Sequence, residues 1–283
     1  MPGITSFFLP LAAGAAIVIG FVLPPLFDAS QPTELDAHAY RRAQADFTGL
    51  MIGRSDQAPE GFRTGEAEGL LSAAVVQELK GQCRGGGTYL VRKSAAPGPP
   101  LLIAAPHRRA DRLTGTLTLR LFQETGAAAA AWNSVHRRAK SECRGTTDLA
   151  RLRSHPFTAF AAAFANTHPN GRVVQIHGFD PARRISAAGR RSAVILSSGS
   201  EEITPAVSAV TNCLRRAMPN HRTSAFPIDV RELGARKNAQ GQALRALDFP
   251  GFVHVELAYH LRKELMNDEN LRKLFGKCLQ AGL

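Results

Sequence analysis

The stretch Val173-Val-Gln-Ile-His-Gly178 indicates how the chain folds. Half of its residues are β-branched and apolar, which is typical of a strand that is buried on both faces of a sheet. The strand pattern ends at His177, where an imidazole has little purpose in packing, and Gly178 then allows backbone or a ligand to approach closely. The stretch therefore predicts a central strand with a polar site at its carboxyl end.

Strand patterns alternate with helical patterns along the rest of the chain. Strands are predicted at Thr88–Arg92, Leu101–Ala105, Ala127–Trp132, Arg172–His177, Ser192–Ser197 and Gly251–Leu257. Helices are predicted at Thr114–Glu124, Phe157–Asn166, Pro205–Met218 and Tyr259–Gln280. This alternation indicates an α/β fold with a largely parallel sheet covered on both faces, in which ligands bind at the carboxyl ends of the strands.

Length and composition are those of a globular protein with one main domain. The chain has 283 residues, of which 44% are hydrophobic and 20% are charged. We predict an α/β domain over residues 61–283, preceded by a linker or short helix over residues 28–60. Residues 1–27 contain no charged side chain, and from Phe7 they are almost wholly apolar over a length that suits a membrane-spanning helix.

This apolar N-terminal segment predicts a signal peptide or an uncleaved membrane anchor. The segment lacks a preceding Lys or Arg and contains three awkward prolines, so both interpretations stay open, with a buried core helix as a third. Either export interpretation places the domain in the periplasm or outside the cell, and an uncleaved anchor would attach it to the membrane.

The four cysteines suit an oxidising compartment. Their number is even, and they show neither a Cys-x-x-Cys pair nor the spacing of a structural zinc site. Two disulfides are therefore expected. We favour Cys83 with Cys143 and Cys213 with Cys278, although four cysteines permit three pairings and four buried thiols are the alternative.

The net charge of +12 and the pI near 10.3 would attract nucleic acid, anionic lipid or an acidic polymer. The arginines are spread through the chain, aromatic residues make up only 7%, and no recognisable nucleic-acid-binding module is present. Nucleic acid is therefore not expected as a partner. An acidic cell-wall or membrane environment explains the charge of an exported protein more simply.

Three polar positions at predicted strand ends suggest a metal site. His107 follows the strand that ends at Ala105, Asp111 lies shortly beyond it, and His177 ends the strand quoted above. Catalytic zinc keeps three protein ligands, drawn from histidine nitrogen and carboxylate oxygen, and one open position. We therefore predict one zinc ion held by these three residues.

Glu256 is the predicted general base. It lies within Phe252-Val-His-Val-Glu-Leu257, where an ionised carboxylate on a central strand would be costly unless it faces a cation or exchanges protons. It would take a proton from the attacking water and pass it to the leaving amine. His254 lies on the same strand face, either as a partner that orients a ligand or as a competing ligand.

Each of these residues also has a structural interpretation. A histidine at a strand end, such as His177, is more often a hydrogen-bonded structural residue, and His107 beside Arg108 and Arg109 could belong to a solvated basic loop. What favours the metal site is the joint placement of several polar residues at strand ends of one α/β pattern.

The order of these motifs resembles that of the zinc carboxypeptidase-like amidohydrolases. The resemblance is greatest to the branch that contains poly-γ-glutamate hydrolases and, more loosely, N-formylglutamate amidohydrolases. There the first motif is similar to His-Gly-Gly-x-x-Glu followed by Gly-Thr, whereas Pro106-His-Arg-Arg-Ala-Asp-Arg-Leu-Thr-Gly115 is one residue shorter and keeps neither of the paired glycines. Gln175-Ile-His-Gly178 and Val255-Glu-Leu257 match better. The resemblance covers the chain from about Leu101 onwards.

The resemblance implies a three-layer α/β sandwich with a mixed, mostly parallel central sheet and hydrolysis of an amide or peptide bond. The residues it implies are His107, Asp111 and His177 as zinc ligands and Glu256 as the base.

A carboxylate-bearing substrate would need a cation, preferably an arginine. Carboxypeptidases have an Asn-Arg pair between the first ligands and the later histidine, and Asn133-Ser-Val-His-Arg-Arg138 occupies that interval here. We predict Arg137, with Asn133, as substrate-binding residues. Asp148 is interpreted as a helix N-cap in preference to a partner that orients an arginine or a ligand histidine. Asn238-Ala-Gln-Gly241 is predicted to be a polar loop near the site, without an assigned role.

The sequence therefore predicts an exported, zinc-dependent hydrolase of an amide or peptide bond in a carboxylate-bearing substrate. The rival interpretation is a non-catalytic envelope protein that keeps the fold and binds an acidic polymer or a membrane through its basic surface.

Overall fold

A mixed sheet of nine strands runs through the computed structural model of the protein. The structure describes residues 34–66, 73–80, 85–94, 100–138 and 147–282. The strands are Phe62–Glu66 (β1), Ala73–Glu78 (β2), Thr88–Arg92 (β3), Leu101–Ala105 (β4), Ala129–Trp132 (β5), Arg172–Phe179 (β6), Val194–Ser197 (β7), Thr223–Ala225 (β8) and Phe252–Ala258 (β9). Their order across the sheet is β1-β2-β3-β5-β4-β6-β9-β7-β8.

The centre of the sheet is parallel and its sides are mixed. β5, β4, β6 and β9 run parallel to one another. On one side β3, β2 and β1 add in antiparallel pairs, and on the other β7 is antiparallel to β9 while β8 is parallel to β7. The predicted mixed sheet is confirmed, with parallel pairing concentrated in the strands that carry the candidate site.

Helices cover both faces of the sheet. They are Ala37–Met51 (α1), Thr114–Thr125 (α2), Pro156–Thr167 (α3), Ala187–Arg191 (α4), Pro205–Ala217 (α5), Ala239–Ala246 (α6), Tyr259–Asn267 (α7) and Glu269–Leu279 (α8). One apolar core lies between the sheet and α2, α5, α7 and α8, and a second lies between the sheet and α1, α3 and α6. The three-layer α/β prediction is therefore confirmed.

Side-chain alternation along β6 determines which layer the site faces. Val174 and Ile176 belong to the core beneath α2, α5, α7 and α8. Val173 belongs to the opposite core, and Gln175 and His177 share its face because successive side chains of a strand point to opposite faces. The apolar residues of β6 thus fill both cores, while Gln175 and His177 lie on the face of α3 and α6.

Two predictions that concern helices are wrong. The tail was expected to form one helix, Tyr259–Gln280, but it divides at Asp268, whose carboxylate accepts a hydrogen bond from the Leu271 N–H at 2.9 Å and caps α8. The segment Asn238-Ala-Gln-Gly241, expected to be a loop, instead begins α6, and the Asn238 side chain accepts from the Gly241 N–H at 2.8 Å.

Helix α1 lies within the stretch 28–60. Its Phe47 is fully buried, and the Phe47 ring centroid lies 4.7 Å from that of Tyr89 and 4.9 Å from that of Phe160. Among the described residues no helix combines the length and the apolar character that crossing a bilayer requires. The apolar segment 1–27 lies outside the described residues.

Cys213 on α5 and Cys278 on α8 form a disulfide, as predicted. The bond joins two helices of the same layer. The other predicted pair, Cys83 with Cys143, lies outside the described residues.

Candidate metal centre

The carboxyl ends of three neighbouring parallel strands bring the predicted site residues together. β4 leads into His107, β6 carries His177, and β9 carries Glu256. His177 and Glu256 are direct register partners on adjacent strands. The site therefore lies where ligands bind to parallel sheets.

A tight turn between β4 and α2 places Asp111. The N–H groups of Ala110 and Asp111 donate to the carbonyl oxygen of His107 at 2.9 and 2.8 Å. Thr114, the first residue of α2, donates its hydroxyl to the carbonyl oxygen of Asp111 at 2.8 Å. Leu113 has a φ of 75°, a left-handed conformation that residues other than glycine rarely adopt. The turn folds Asp111 back beside His107.

One carboxylate oxygen lies close to two imidazoles. Oδ2 of Asp111 is 3.4 Å from Nδ1 of His107 and 3.5 Å from Nδ1 of His177. Zinc with bond lengths of about 2.0–2.1 Å and tetrahedral angles holds its ligand atoms about 3.4 Å apart. The Gly178 N–H donates to the same oxygen at 3.1 Å and helps to fix it. Two of the three distances between the predicted ligand atoms therefore match a single zinc site, and all three atoms lie within 4.8 Å of one another.

The hydrogen bonds of His107 leave its Nδ1 without a proton. Nε2 lies 2.6 Å from Oδ1 of Asp148, an atom that accepts, so Nε2 carries the proton. Nη1 of Arg137 donates to Nδ1 at 3.0 Å, because a guanidinium cannot accept. Burial lowers the pKa of His107, but Asp111 and Asp148 outweigh burial and raise the pKa overall. A carboxylate partner of this kind makes an imidazole a more basic metal ligand.

His177 is held at its other nitrogen by an amide. Nε2 lies 2.9 Å from Oε1 of Gln175, and burial lowers the pKa of His177, which favours the neutral ring. Burial alone would raise the pKa of Asp111, but the adjoining His107 and His177 rings outweigh burial and hold the pKa far below the usual range. An ionised carboxylate and neutral imidazoles are the protonation states in which these residues bind a metal.

Glu256 lies beside these residues in a buried environment. Among the described residues its Oε2 has no hydrogen-bond partner, and its Oε1 is 3.8 Å from Nε2 of His254. Burial, together with the negative charge of Asp111, raises the pKa of Glu256 to about 8. A carboxyl group with a pKa near neutrality can both accept and return a proton.

His254 shares the strand face of Glu256. Its ring centroid lies 4.5 Å from that of His177, and burial holds the pKa of His254 well below the usual value. His177, His254 and Glu256 form a second group that could hold a metal. The group with Asp111 has the closer spacing, because its nitrogen-to-oxygen distances are 3.4 and 3.5 Å against 3.8 Å between His254 and Glu256.

A cavity of about 1390 Å³ opens over the site. Its basic lining residues are Arg112, Arg137, Arg138, Arg151, Arg183, Arg184, Arg231, Arg236, Lys237 and Arg262. Its acidic lining residues are Asp111, Asp148, Asp180, Glu232 and Glu256. Cations thus outnumber anions on the wall, which favours an anionic ligand.

The structure places the two predicted substrate-binding residues differently. Arg137 lines the cavity and reaches His107. Asn133 is fully buried, with its Oδ1 accepting from the Arg108 N–H at 2.7 Å and its Nδ2 donating to the carbonyl of Val135. The Asn133 amide therefore supports the loop after β5 and does not face the cavity.

Two contributors to the site were not predicted as such. Asp148 was interpreted as an N-cap, but its carboxylate makes no capping bond and accepts from His107 instead. The buried guanidinium of Arg262 donates to the carbonyl of Arg112 at 2.5 Å and packs against Gly178, where an added Cβ would lie 2.3 Å from Nη1. The close approach predicted at Gly178 was that of backbone or a ligand, whereas the group that lies there is the Arg262 side chain, which no local sequence pattern indicates.

No protein-family model and no curated protein matches this sequence. Among solved structures, a bacteriophage poly-γ-glutamate hydrolase is 12% identical with a TM-score of 0.39, over 65% of this chain and 82% of that protein. A Burkholderia mallei protein assigned as a carboxypeptidase is 14% identical with a TM-score of 0.43, over 82% of this chain and 65% of that one. N-formylglutamate amidohydrolase from Ralstonia eutropha is 11% identical with a TM-score of 0.39, over 69% of this chain and 95% of that one. All three similarities are distant.

Proposed function

We propose that the protein is a zinc-dependent hydrolase of amide or peptide bonds whose substrate carries carboxylates. The observation that carries this proposal is the position of Asp111 Oδ2, which lies 3.4 and 3.5 Å from the Nδ1 atoms of His107 and His177. Each ring is engaged at its other nitrogen, by a carboxylate or an amide. Three ligand atoms therefore lie within 4.8 Å of one another at the wall of the cavity, and together they are the donor set of catalytic zinc.

The residues around that point have distinct roles in the proposed reaction. His107, Asp111 and His177 would hold the ion, and zinc bound there would polarise a carbonyl and lower the pKa of water. Glu256 takes the proton of the attacking water, because it lies beside the ligands and bound zinc would lower its raised pKa towards neutrality. The same carboxyl group then returns the proton to the leaving nitrogen, so that the base is regenerated.

The cavity wall supports an anionic substrate. An arginine can bind a carboxylate through two parallel hydrogen bonds, and Arg137 is the arginine that reaches the proposed ligands. Farther out, Arg231 and Arg236 contact the same carboxylate, Glu201, at 3.5 and 2.8 Å, so one anion is shared by two cations. An acidic cell-wall component or another acidic polymer fits this surface better than a neutral peptide does.

We also propose that the protein acts outside the cytoplasm, in the periplasm or after secretion. The disulfide between Cys213 and Cys278 supports this location, since disulfides persist in oxidising compartments. Residues 1–27 would serve as the signal or membrane anchor. Thiol alkylation after cell fractionation tests the location. Protein in the envelope fraction or the medium with Cys213 and Cys278 unreactive is expected, and reactive Cys213 and Cys278 in the cytoplasmic fraction would contradict it.

Zinc content and turnover test the proposed function together. We expect about one zinc per chain in the wild type and little in His177→Ala or Asp111→Asn, with loss of amide hydrolysis in both variants. His168→Ala is the matched control, because the half-buried His168 ring packs on Phe164, 4.8 Å away between centroids, and does not line the cavity.

One result would contradict the proposed enzyme. A wild-type protein that takes up no zinc and hydrolyses no amide, but binds an acidic polymer with strong salt dependence, would contradict the enzyme and support the envelope-binding alternative.

A further inference from the structure

A buried chain of amide groups leads from His177 to a backbone carbonyl. Nε2 of His177 contacts Oε1 of Gln175 at 2.9 Å, and Nε2 of Gln175 donates to Oε1 of Gln240 at 2.8 Å. Nε2 of Gln240 donates to the carbonyl oxygen of Leu149 and to the hydroxyl of Thr158, both at 2.7 Å. Gln175 and Gln240 are each only 1% exposed, so their hydrogen bonds must be satisfied within the protein.

The far end of the chain fixes its direction. A carbonyl oxygen only accepts, so the amide nitrogen of Gln240 must face Leu149. The Thr158 hydroxyl donates its proton to the Leu152 carbonyl at 2.8 Å and therefore accepts from Gln240. With its nitrogen committed to these two acceptors, Gln240 presents its oxygen to Gln175. Gln175 must then present its nitrogen to Gln240 and its oxygen to His177.

A second contact fixes Gln175 independently. Oδ1 of Asn238 accepts from the Gly241 N–H at 2.8 Å as the cap of α6. Nδ2 of Asn238 is therefore the end that faces Gln175, and it donates to Gln175 Oε1. A flipped Gln175 amide would oppose donor to donor at Asn238 and acceptor to acceptor at Gln240, so it is excluded.

From this geometry we infer that Gln175 and Gln240 are positioning residues that keep the proton of His177 on Nε2 and leave Nδ1 free for a metal. The inference rests on the proposed metal site and adds the residues that prepare it. Oε1 of Gln175 can only accept, so Nε2 of His177 must donate, and the Nδ1 lone pair is left toward Oδ2 of Asp111 at 3.5 Å. The segment that begins α6 thus sets the state of a ligand on β6.

The tautomer can be read directly in the metal-free wild type. In protein labelled with ¹⁵N on histidine and held at about pH 8, above the usual histidine pKa of about 6.5, long-range ¹H–¹⁵N correlations distinguish the two neutral tautomers. The His177 signals are those lost in His177→Asn. We expect His177 to be protonated on Nε2. Protonation on Nδ1, or an even mixture of both forms, in the wild-type spectrum would overturn the inference.

Zinc affinity gives a second readout. Competition with a chelator should show zinc binding weakened about 10–100-fold in Gln175→Met, and weakened in the same direction in Gln240→Met. Because Gln240 acts through Gln175, the double variant should bind zinc no more weakly than Gln175→Met alone. Gln242→Met is the matched control, since Gln242 lies on the same helix but donates to the carbonyl of Arg236.

The failure of this inference differs from the failure of the proposed function. Wild-type affinity in Gln175→Met, with the variant folded by its thermal unfolding curve, would remove the positioning role and leave the metal site in place. Additive losses in the double variant would point to separate structural effects and would also overturn it. A wild type that binds no zinc would contradict the proposed function. The tautomer spectrum would still decide whether the amide chain keeps the proton of His177 on Nε2.

Discussion

Replacing Glu256 by glutamine should stabilise the metal-free protein while abolishing its activity. The carboxyl group is buried, its Oε2 has no hydrogen-bond partner among the described residues, and its pKa is raised from the ordinary 4.5 to about 8. In the folded state the group therefore keeps a proton that the unfolded chain releases above about pH 4.5. Glutamine has nearly the same shape and is never charged. The variant therefore does not lose folding stability as pH rises in the way that the wild type does through this group.

The sign and size of the effect follow from proton linkage. Between pH 4.5 and about 8 the folded protein binds one more proton than the unfolded chain, so unfolding releases it and rising pH favours unfolding. This group should lower the free energy of unfolding of the wild type by roughly 1.4 kcal/mol per pH unit across that window. The stabilisation of Glu256→Gln over the wild type should therefore be small at pH 5 and about 4–5 kcal/mol above pH 8.

Urea denaturation of both proteins, at several pH values with a chelator present, measures this difference. The gap between their unfolding free energies should widen as pH rises and then level off. Added zinc should reduce the gap, because a nearby dication stabilises the ionised carboxylate. Turnover in the variant should fall at least about 100-fold with zinc content unchanged. A difference in unfolding free energy that stays constant with pH would contradict the raised pKa of Glu256. Retained turnover in the variant would contradict the role of Glu256 as the base.

Two further changes test packing and covalent linkage within the fold. Gly178→Ala should lower the free energy of unfolding by about 1–3 kcal/mol in chemical denaturation, because its Cβ would lie 2.3 Å from Nη1 of the buried Arg262. Gly65→Ala is the control and should be nearly neutral, because nothing lies within 4 Å of the added carbon. Equal losses in the two variants would contradict the close approach at Gly178. Replacing Cys213 and Cys278 together by serine opens a loop with a sequence separation of 65 and should lower the free energy of unfolding by about 4 kcal/mol in the chain-entropy model; wild-type stability that does not respond to reducing agent would speak against the bond.

The centre of the fold could be predicted from the sequence, and its edges could not. β4, β6 and β9 are buried along their whole lengths or nearly so, and their apolar runs mark them as strands. Phe62–Glu66 is mostly exposed, and Thr223–Ala225 has only three residues, so neither shows a periodic pattern long enough to recognise. Helix α6 was missed because Asn238-Ala-Gln-Gly241 is polar and contains glycine, and its capping bond depends on one side chain.

The candidate ligands could be predicted because each lies at or just after the end of an apolar strand, but the groups that orient them depend on contacts across the fold. Finding a ligand histidine predicts that some acceptor holds its other nitrogen, since an unpaired buried N–H is costly. For His177 that acceptor could have been found, because Gln175 lies two residues earlier on the same face of the strand. For His107 it is Asp148, 41 residues away, and only the folding of the intervening chain brings the two together. The sequence thus predicts how many hydrogen-bond acceptors the ligand histidines need. The tertiary structure determines which residues provide those acceptors.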